Sequence, residues 1–306
     1  MPLTGKNSRL KRAPLNKLDT IKEFEFTARD FERARNLIHQ HAGIALAASK
    51  QEMVYSRLAR RLRAKGINTF SDYLDQLERG GEEDEKEAFV NALTTNLTSF
   101  FREAHHFPIF AEHVRQLREP ASIWCCASST GEEPYSIAMT LCETYATWTP
   151  PAHILATDID TNVLAVAARG VYPIERLEKL SAERKKRFFL RGTGAQSGLA
   201  RVRPELRKLI TFQPLNLLAG SWPITTTFDT IFCRNVMIYF DKATQTKILS
   251  RFAPLMKPQG LLFAGHSENF SYVSGAFKLR AKTVYEVVPR HGTKASARKP
   301  ELDLQP

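Results

Sequence analysis

Five short stretches concentrate side chains able to hold a small polar ligand. Ala127-Ser128-Ser129-Thr130-Gly131-Glu132-Glu133-Pro134-Tyr135-Ser136 is a run of small residues that opens onto two glutamates. It is not a G-x-G-x-x-G turn, and carboxylates at a helix N-terminus repel a pyrophosphate. They suit a ligand carrying an amino group or another cation. The alternative is that Glu132 and Glu133 do no more than complement the helix dipole. Asp158, followed by Ile159 and Asp160, can accept the two ribose hydroxyls of an adenosine. Its competing role is a helix N-cap, which Asp160 or Thr161 fills equally well. Asn216 offers an amide to an adenine edge, with Leu217 placed to pack near the ring. Arg234 and Asn235 directly follow an apolar run and lead to Tyr239. Asn96, Thr98 and Arg102 lie in a polar connector that can close over a ligand, or that is a linker with a helix cap at Thr98 or Ser99.

These residues need a scaffold, and the hydrophobic pattern supplies one. Short apolar runs at 122–126, 153–157, 228–233 and 260–265 alternate with helical patterns at 132–145, 162–169 and 244–256. Such alternation predicts a parallel sheet with helices on both faces. Ligands of open α/β sheets bind beyond the carboxyl ends of the strands, where the glutamate, aspartate and Arg-Asn stretches fall. One stretch interrupts the alternation: 188–191 and 199–203 read as a hairpin around a glycine-rich turn, and 209–212 reads as a further strand. Upstream, 28–94 reads as four helices. Phe31, Ala34, Leu37, Ile38 and His41 recur at helical spacing, with Gly43, Gly66 and Gly80-Gly81 as stops. Ser49 and Glu52 have the spacing of a capping box.

The 306 residues allow about two domains, and 43% hydrophobic with 25% charged residues is ordinary globular composition. A net charge of +12 suggests an anionic partner, whether nucleic acid, an anionic membrane surface or an acidic protein, the alternative being no more than a soluble basic enzyme. No apolar run reaches the roughly 18 residues of a membrane helix. The first residues are basic and polar with no apolar core, which argues against a secretory signal. Cys125, Cys126, Cys142 and Cys233 form no C-x-x-C pair and read as reduced cytosolic thiols. His105 and His106 are adjacent, and no Cys/His ligand spacing exists, so no metal is expected.

Taken in order, several segments closely resemble the CheR family of chemotaxis receptor methyltransferases. They are Leu93-Thr94-Thr95-Asn96-Leu97-Thr98-Ser99-Phe100-Phe101-Arg102-Glu103, Ser129-Thr130-Gly131-Glu132-Glu133-Pro134-Tyr135-Ser136, Ala156-Thr157-Asp158-Ile159-Asp160, Phe232-Cys233-Arg234-Asn235-Val236-Met237-Ile238-Tyr239-Phe240-Asp241 and Gly265-His266-Ser267-Glu268-Asn269. The likeness runs from about residue 28 to 288. It implies an all-α N-terminal domain and a Rossmann-like class I S-adenosylmethionine-dependent methyltransferase domain of α/β class. A small antiparallel β-subdomain is inserted in the latter.

The expected organisation is a disordered basic leader at 1–27, a helical substrate-recognition domain at 28–95 and a connector at 96–120. The methyltransferase domain then covers 121–288 with its insertion at about 187–212, and a disordered tail covers 289–306. The resemblance implies S-adenosylmethionine as methyl donor, S-adenosylhomocysteine as product, and glutamates of cytoplasmic receptor helices as acceptors. It places Asn96, Thr98, Arg102, Glu133, Asp158, Asn216, Leu217, Arg234 and Asn235 around the cofactor, favouring Glu133 over Glu132 for the methionine amino group. Arg102 and Tyr239 fall near the transferred methyl.

A rotation of 100° per residue puts Arg57, Arg60 and Arg63 on a face away from Val54, Leu58 and Leu62. In this family the helical domain faces the substrate, so these arginines are expected to meet an acidic receptor helix. The alternative is a solvated face. In some members the β-subdomain docks the receptor's C-terminal peptide, and Gly192 and Gly194 fall where such docking is shaped, or in a plain surface turn. A nucleic-acid methyltransferase is a competing reading, but the run after Cys233 lacks the prolines of an N-P-P-Y signature. A catalytically silent adaptor is the non-enzyme alternative. The chain is expected to be a cytoplasmic monomer with no nucleic-acid partner and no direct insertion into the membrane.

Overall fold

The computed structural model describes residues 22–80, 82–272 and 275–288. Residues 1–21 of the expected leader and the expected tail lie outside the described residues. Residues 22–27 do not behave as a disordered leader. Phe24 and Phe26 pack on the helical domain, with the Phe26 and Phe70 rings 4.5 Å apart.

The helical domain comprises α1 (Ala28–Ala42), α2 (Gln51–Lys65), α3 (Phe70–Glu78) and α4 (Glu83–Leu93). The apolar stripe of α2, Val54, Leu58 and Leu62, is fully buried with Phe31, Ile38, Phe70, Leu74 and Phe89. The Ser49–Glu52 capping box does not form. A 3-10 turn at Ala48–Lys50 runs straight into α2, and Glu52 reaches instead to Lys22 at 2.6 Å. The capping box is at α1, where Thr27 and Asp30 satisfy each other's backbone N–H groups.

After the connector, α5 (His106–Arg115) leads into the α/β domain. Its chain order is β1 (Ala121–Cys126), α6 (Glu132–Thr144), β2 (Ala152–Asp158), α7 (Thr161–Arg169), β3 (Val171–Pro173), α8 (Ala182–Phe188), β4 (Phe189–Arg191) and β5 (Leu199–Val202). Then follow α9 (Pro204–Arg207), β6 (Ile210–Pro214), β7 (Phe228–Cys233), α10 (Lys242–Phe252), β8 (Met256–Ala264), β9 (Phe277–Ala281) and β10 (Val284–Val287). Seven strands form one sheet in the order β6-β2-β1-β7-β8-β10-β9. β10 is antiparallel to both its neighbours, and the other pairings are parallel.

Alternation along the strands sends side chains to both faces. Ile123 and Cys125 of β1 join the core under α5 and α6, while Trp124 and Cys126 join the core under α10. With both faces covered, the central strands read as continuous apolar runs rather than alternating ones. The sheet is the doubly wound α/β architecture expected from the strand–helix alternation.

The insertion is placed differently from the expectation of 187–212. A separate three-stranded sheet has the order β3-β5-β4, so its first strand lies upstream at Val171–Pro173. β6 is not part of it but pairs parallel with β2 as an edge of the main sheet. The β-subdomain therefore spans 171–209.

Candidate functional site

Strand order reverses between β1 and β7, and the loops beyond the carboxyl ends of β1, β2, β6 and β7 open onto one cavity of about 380 Å³. Asn96, Thr98, Arg102, Glu133, Asp158, Asn216, Leu217, Arg234, Asn235 and Tyr239 all line it. Three non-glycine lining residues, Ala127, Ser129 and Asn235, have left-handed backbones with φ of 61°, 49° and 59°. Such conformations cost about 1–3 kcal/mol each and cluster where a site needs them.

The turn after β1 shows why its sequence is so small. Gly131, the residue before α6, has φ 97°, and a Cβ there would lie 2.8 Å from both the Ala167 Cβ and the Tyr172 hydroxyl. Past this glycine, Glu132 turns into the protein and accepts from the Thr130 hydroxyl at 2.6 Å. Glu133 faces the cavity, so the two adjacent carboxylates have different surroundings. Burial pushes the Glu133 carboxyl up, against the pull of Arg234, whose Nη1 donates to its Oε2 at 2.6 Å.

Asp158 ends β2 and is 7% exposed. Its Oδ2 accepts from the Ser129 N–H at 2.8 Å and its Oδ1 from the Asp160 N–H at 2.9 Å. Burial raises its carboxyl to about 6 despite those donors. Asp160 takes the N-cap of α7, accepting from the Asn162 and Val163 N–H groups, so Asp158 is not needed for capping. Asp160 also accepts from the Asn96 amide at 2.8 Å, which anchors the connector over the cavity. Arg102 donates from Nη1 to the Leu97 carbonyl at 2.8 Å. Thr98 accepts through its carbonyl from Arg176 at 3.3 Å.

The helical domain supplies part of the cavity wall through Ala42, Ile44, Ala45, Leu46, Ala47, Lys50 and Met53. The cavity is therefore shared between the two domains. Two bonds fix this wall: the Asn216 side-chain amide donates to the His41 carbonyl, and the Ala45 N–H donates to the Tyr239 carbonyl, both at 2.8 Å. Sequence reasoning missed these residues because apolar side chains after Gly43 carry no chemical signature.

It also left Glu268 without a role. That buried carboxylate accepts from the backbone N–H groups of Gly265, Asn235 and Met237 and so shapes the loop that presents Arg234 to Tyr239. The signal was present as an acid three residues beyond a glycine in a polar run, but its partners lie in another loop.

The arginines of α2 form no free line. Arg57 is half-buried and donates to the carbonyls of Ala92 and Thr94, tying α2 to the end of α4. Arg63 pairs with Glu23 at 2.6 Å. Among the described residues, Arg60 is exposed and makes no such bond. Packing across α2 and α4 decides this, which a single-helix rotation does not see. Gly192 and Gly194 lie between β4 and β5, outside the cavity. A Cβ on Gly192 would fall 2.0 Å from the Gln196 carbonyl oxygen, whereas Gly194 has open space. Among the described residues, no group of three or more His, Cys, Asp or Glu is arranged to hold a metal ion. None of the described helices is long and apolar enough to cross a membrane.

The chain matches two family models, "CheR methyltransferase, SAM binding domain" over residues 96–286 and "CheR methyltransferase, all-alpha domain" over 29–94. It is 58% identical over 255 residues to the chemotaxis protein methyltransferase of Klebsiella aerogenes, covering 83% of this chain and 88% of that protein. It is 54% identical over 266 residues to chemotaxis protein methyltransferase 2 of Pseudomonas aeruginosa, covering 86% and 94%. The Escherichia coli chemotaxis protein methyltransferase is 54% identical over 255 residues, covering 83% and 89%. The cavity, walled by both domains and lined by carboxylates, suits a cationic adenosine cofactor, and the chain belongs to the CheR methyltransferase family, as an S-adenosylmethionine-dependent methyltransferase of chemotaxis.

Proposed function

We propose that this enzyme esterifies glutamate side chains on the cytoplasmic helical region of transmembrane chemoreceptors. The observation that carries the reading is the convergence of Glu133, Asp158, Asn216, Leu217, Arg102 and Tyr239 on one cavity. Glu133 holds the amino group of the methionine moiety, and Asp158 the ribose hydroxyls. Asn216 and Leu217 hold the adenine, while Asn96, Thr98, Arg234 and Asn235 complete the enclosure. When bound, S-adenosylmethionine supplies an electrophilic methyl on a sulfonium leaving group.

The acceptor requires little activation. A free glutamate has a pKa near 4.3 and arrives ionised at neutral pH, so no general base is needed. What the protein must supply is alignment, worth up to roughly 7–11 kcal/mol of barrier lowering. Arg102 and Tyr239 do this from two segments that line the cavity, one on the connector and one on the loop after β7. Arg102 spends one N–H group on Leu97 and keeps the others for the acceptor carboxylate. Holding that carboxylate too tightly in the ground state would not raise the rate.

Charge supports an acidic partner. Residues 171–209 carry eleven Lys and Arg against four Glu, a net +7 of the chain's +12. β4 is an edge strand of the small sheet, where an extended receptor tail can add by strand pairing, with Gly192 and Gly194 shaping the turn beside it. Arg60 on α2 meets the acidic receptor helix. The enzyme acts as a monomer in the cytoplasm.

The decisive experiment is transfer of radiolabelled methyl to receptor-enriched membranes, followed by treatment with base. Esters release volatile methanol, whereas base-stable label would reject carboxyl methylation. Receptors with acceptor glutamates replaced by glutamine should take up no label at those sites.

A further inference from the structure

We propose that Glu103, which does not line the cavity, is a positioning residue that keeps the Arg234–Glu133 pair net negative toward the cofactor's amino group. The proposal rests on the assignment of Glu133 to that amino group. Glu103 follows Arg102 in the connector and adopts a left-handed backbone, φ 54°. Its side chain is 9% exposed and gathers two other loops. Oε1 accepts from the Asn235 amide at 3.2 Å, from the His266 N–H at 3.1 Å and from His266 Nδ1 at 3.2 Å. Oε2 lies 3.3 Å from Arg234 Nη2 and 3.8 Å from Nδ1 of the buried His106. Burial alone would raise its carboxyl, but Arg234 and the donors from His266 and Asn235 hold it down at about 2. These contacts favour the ionised form of Glu103.

The consequence lies in charge sharing. Arg234, itself 4% exposed, stands between two carboxylates, Glu103 on one side and Glu133 on the other. One guanidinium cannot neutralise both. With Glu103 present, the pair of carboxylates retains a net negative charge, and that charge faces the cavity through Glu133. Arg234 already lies 2.6 Å from Glu133 and 3.3 Å from Glu103, so without Glu103 the Arg234–Glu133 pair would be neutral overall and its hold on an ammonium group weaker. The effect is selective, because ligand lacking the amino acid moiety makes no use of Glu133.

The test compares S-adenosylhomocysteine with methylthioadenosine, which keeps the adenosine and lacks the amino acid. Binding of both is measured by calorimetry to wild type and to Glu103→Gln. S-adenosylhomocysteine should bind Glu103→Gln about tenfold more weakly, the scale of one impaired charge-assisted contact, and methylthioadenosine within twofold of wild type. Equal weakening of both ligands would make Glu103 merely structural, and unchanged binding of both would remove its role; either result overturns the proposal. Should Glu103→Gln fail to fold, His266→Ala strips one donor from Glu103 at a side chain that is 63% exposed. With one donor fewer, Glu103 draws more on Arg234, so S-adenosylhomocysteine alone should bind more tightly, about threefold, and parity between the two ligands again overturns the idea. If wild type binds the two ligands equally, the amino-group assignment of Glu133 fails instead.

Discussion

Replacing Asp158 by asparagine separates the ribose contact from the rest of the cavity. The carboxylate already accepts two backbone N–H groups, from Ser129 and Asp160. Each carboxylate oxygen has lone pairs to spare, so both can also accept a hydroxyl. Asparagine keeps the volume and one acceptor but loses the charge, and it turns an N–H group toward one of those backbone donors. A charge-assisted hydrogen bond contributes about 1.5–3 kcal/mol, so cofactor and demethylated product should bind Asp158→Asn roughly 10- to 150-fold more weakly.

A pH dependence follows from the same geometry. Burial lifts the Asp158 carboxyl from 3.8 to about 6, so the folded protein binds this proton more tightly than the unfolded chain. The sign is therefore unfavourable to the ionised fold. Stability from this group is present below about pH 4 and is lost as pH rises toward 6, leaving a cost of roughly 3 kcal/mol at neutral pH. Ribose hydroxyls donated to the anion offset part of that cost. Wild-type affinity should accordingly tighten as pH rises through about 6, and Asp158→Asn should lack that limb. Calorimetric titrations between pH 5 and 7.5 decide the matter: a flat wild-type profile, or unchanged affinity in a folded mutant, would refute the reasoning.

Arg60→Glu should raise the apparent KM for receptor severalfold at low salt and little at high salt, because exposed charge pairing is screened. Cofactor binding should not change, since Arg60 lies outside the cavity; initial rates against receptor concentration test both statements. Arg57→Glu is expected instead to lower the melting temperature, because its guanidinium caps the carbonyls of Ala92 and Thr94. Gly131→Ala should cost at least about 1–3 kcal/mol in chemical denaturation from its backbone alone, with the contacts to Ala167 and Tyr172 adding to it. Gly192→Val should impair binding of tail-bearing receptor while leaving tail-truncated receptor and cofactor affinity as in wild type; equal loss on both receptors would count against tail docking.

What the sequence revealed and what it hid follow from one physical distinction. Residues whose surroundings are set by their own element were legible. The buried stripe of α2 follows from spacing of 3.6, and the apolar run Ile123–Cys126 of β1 follows from burial on both faces. The site residues were legible for a related reason. In a doubly wound sheet the loop after each strand arrives at the same edge, so Glu133, Asp158, Asn216 and Arg234 were placed together by topology before any contact was known. β10 and β9 were not anticipated, because two short antiparallel edge strands after β8 break the strand–helix alternation that revealed the others.

Residues whose roles depend on another element were hidden. Ser49 and Glu52 have the spacing of a cap, yet Lys22 from the preceding chain takes the glutamate. Arg57 sits on the outward side of α2 by rotation, yet α4 crosses close enough to offer it carbonyls. The end of the small sheet was misread because Ile210–Pro214 has the same apolar texture whether it pairs with β5 or with β2; only the parallel partner, available across the crossover, decides it. Glu103 belongs to this class most fully. Its neighbours in sequence are Arg102 and Ala104, but its chemistry is set by Arg234, Asn235 and His266, more than 130 residues away. A carboxylate held by distant donors leaves no periodicity and no local spacing to read. Its function emerges only when the strand ends have brought three loops to one point.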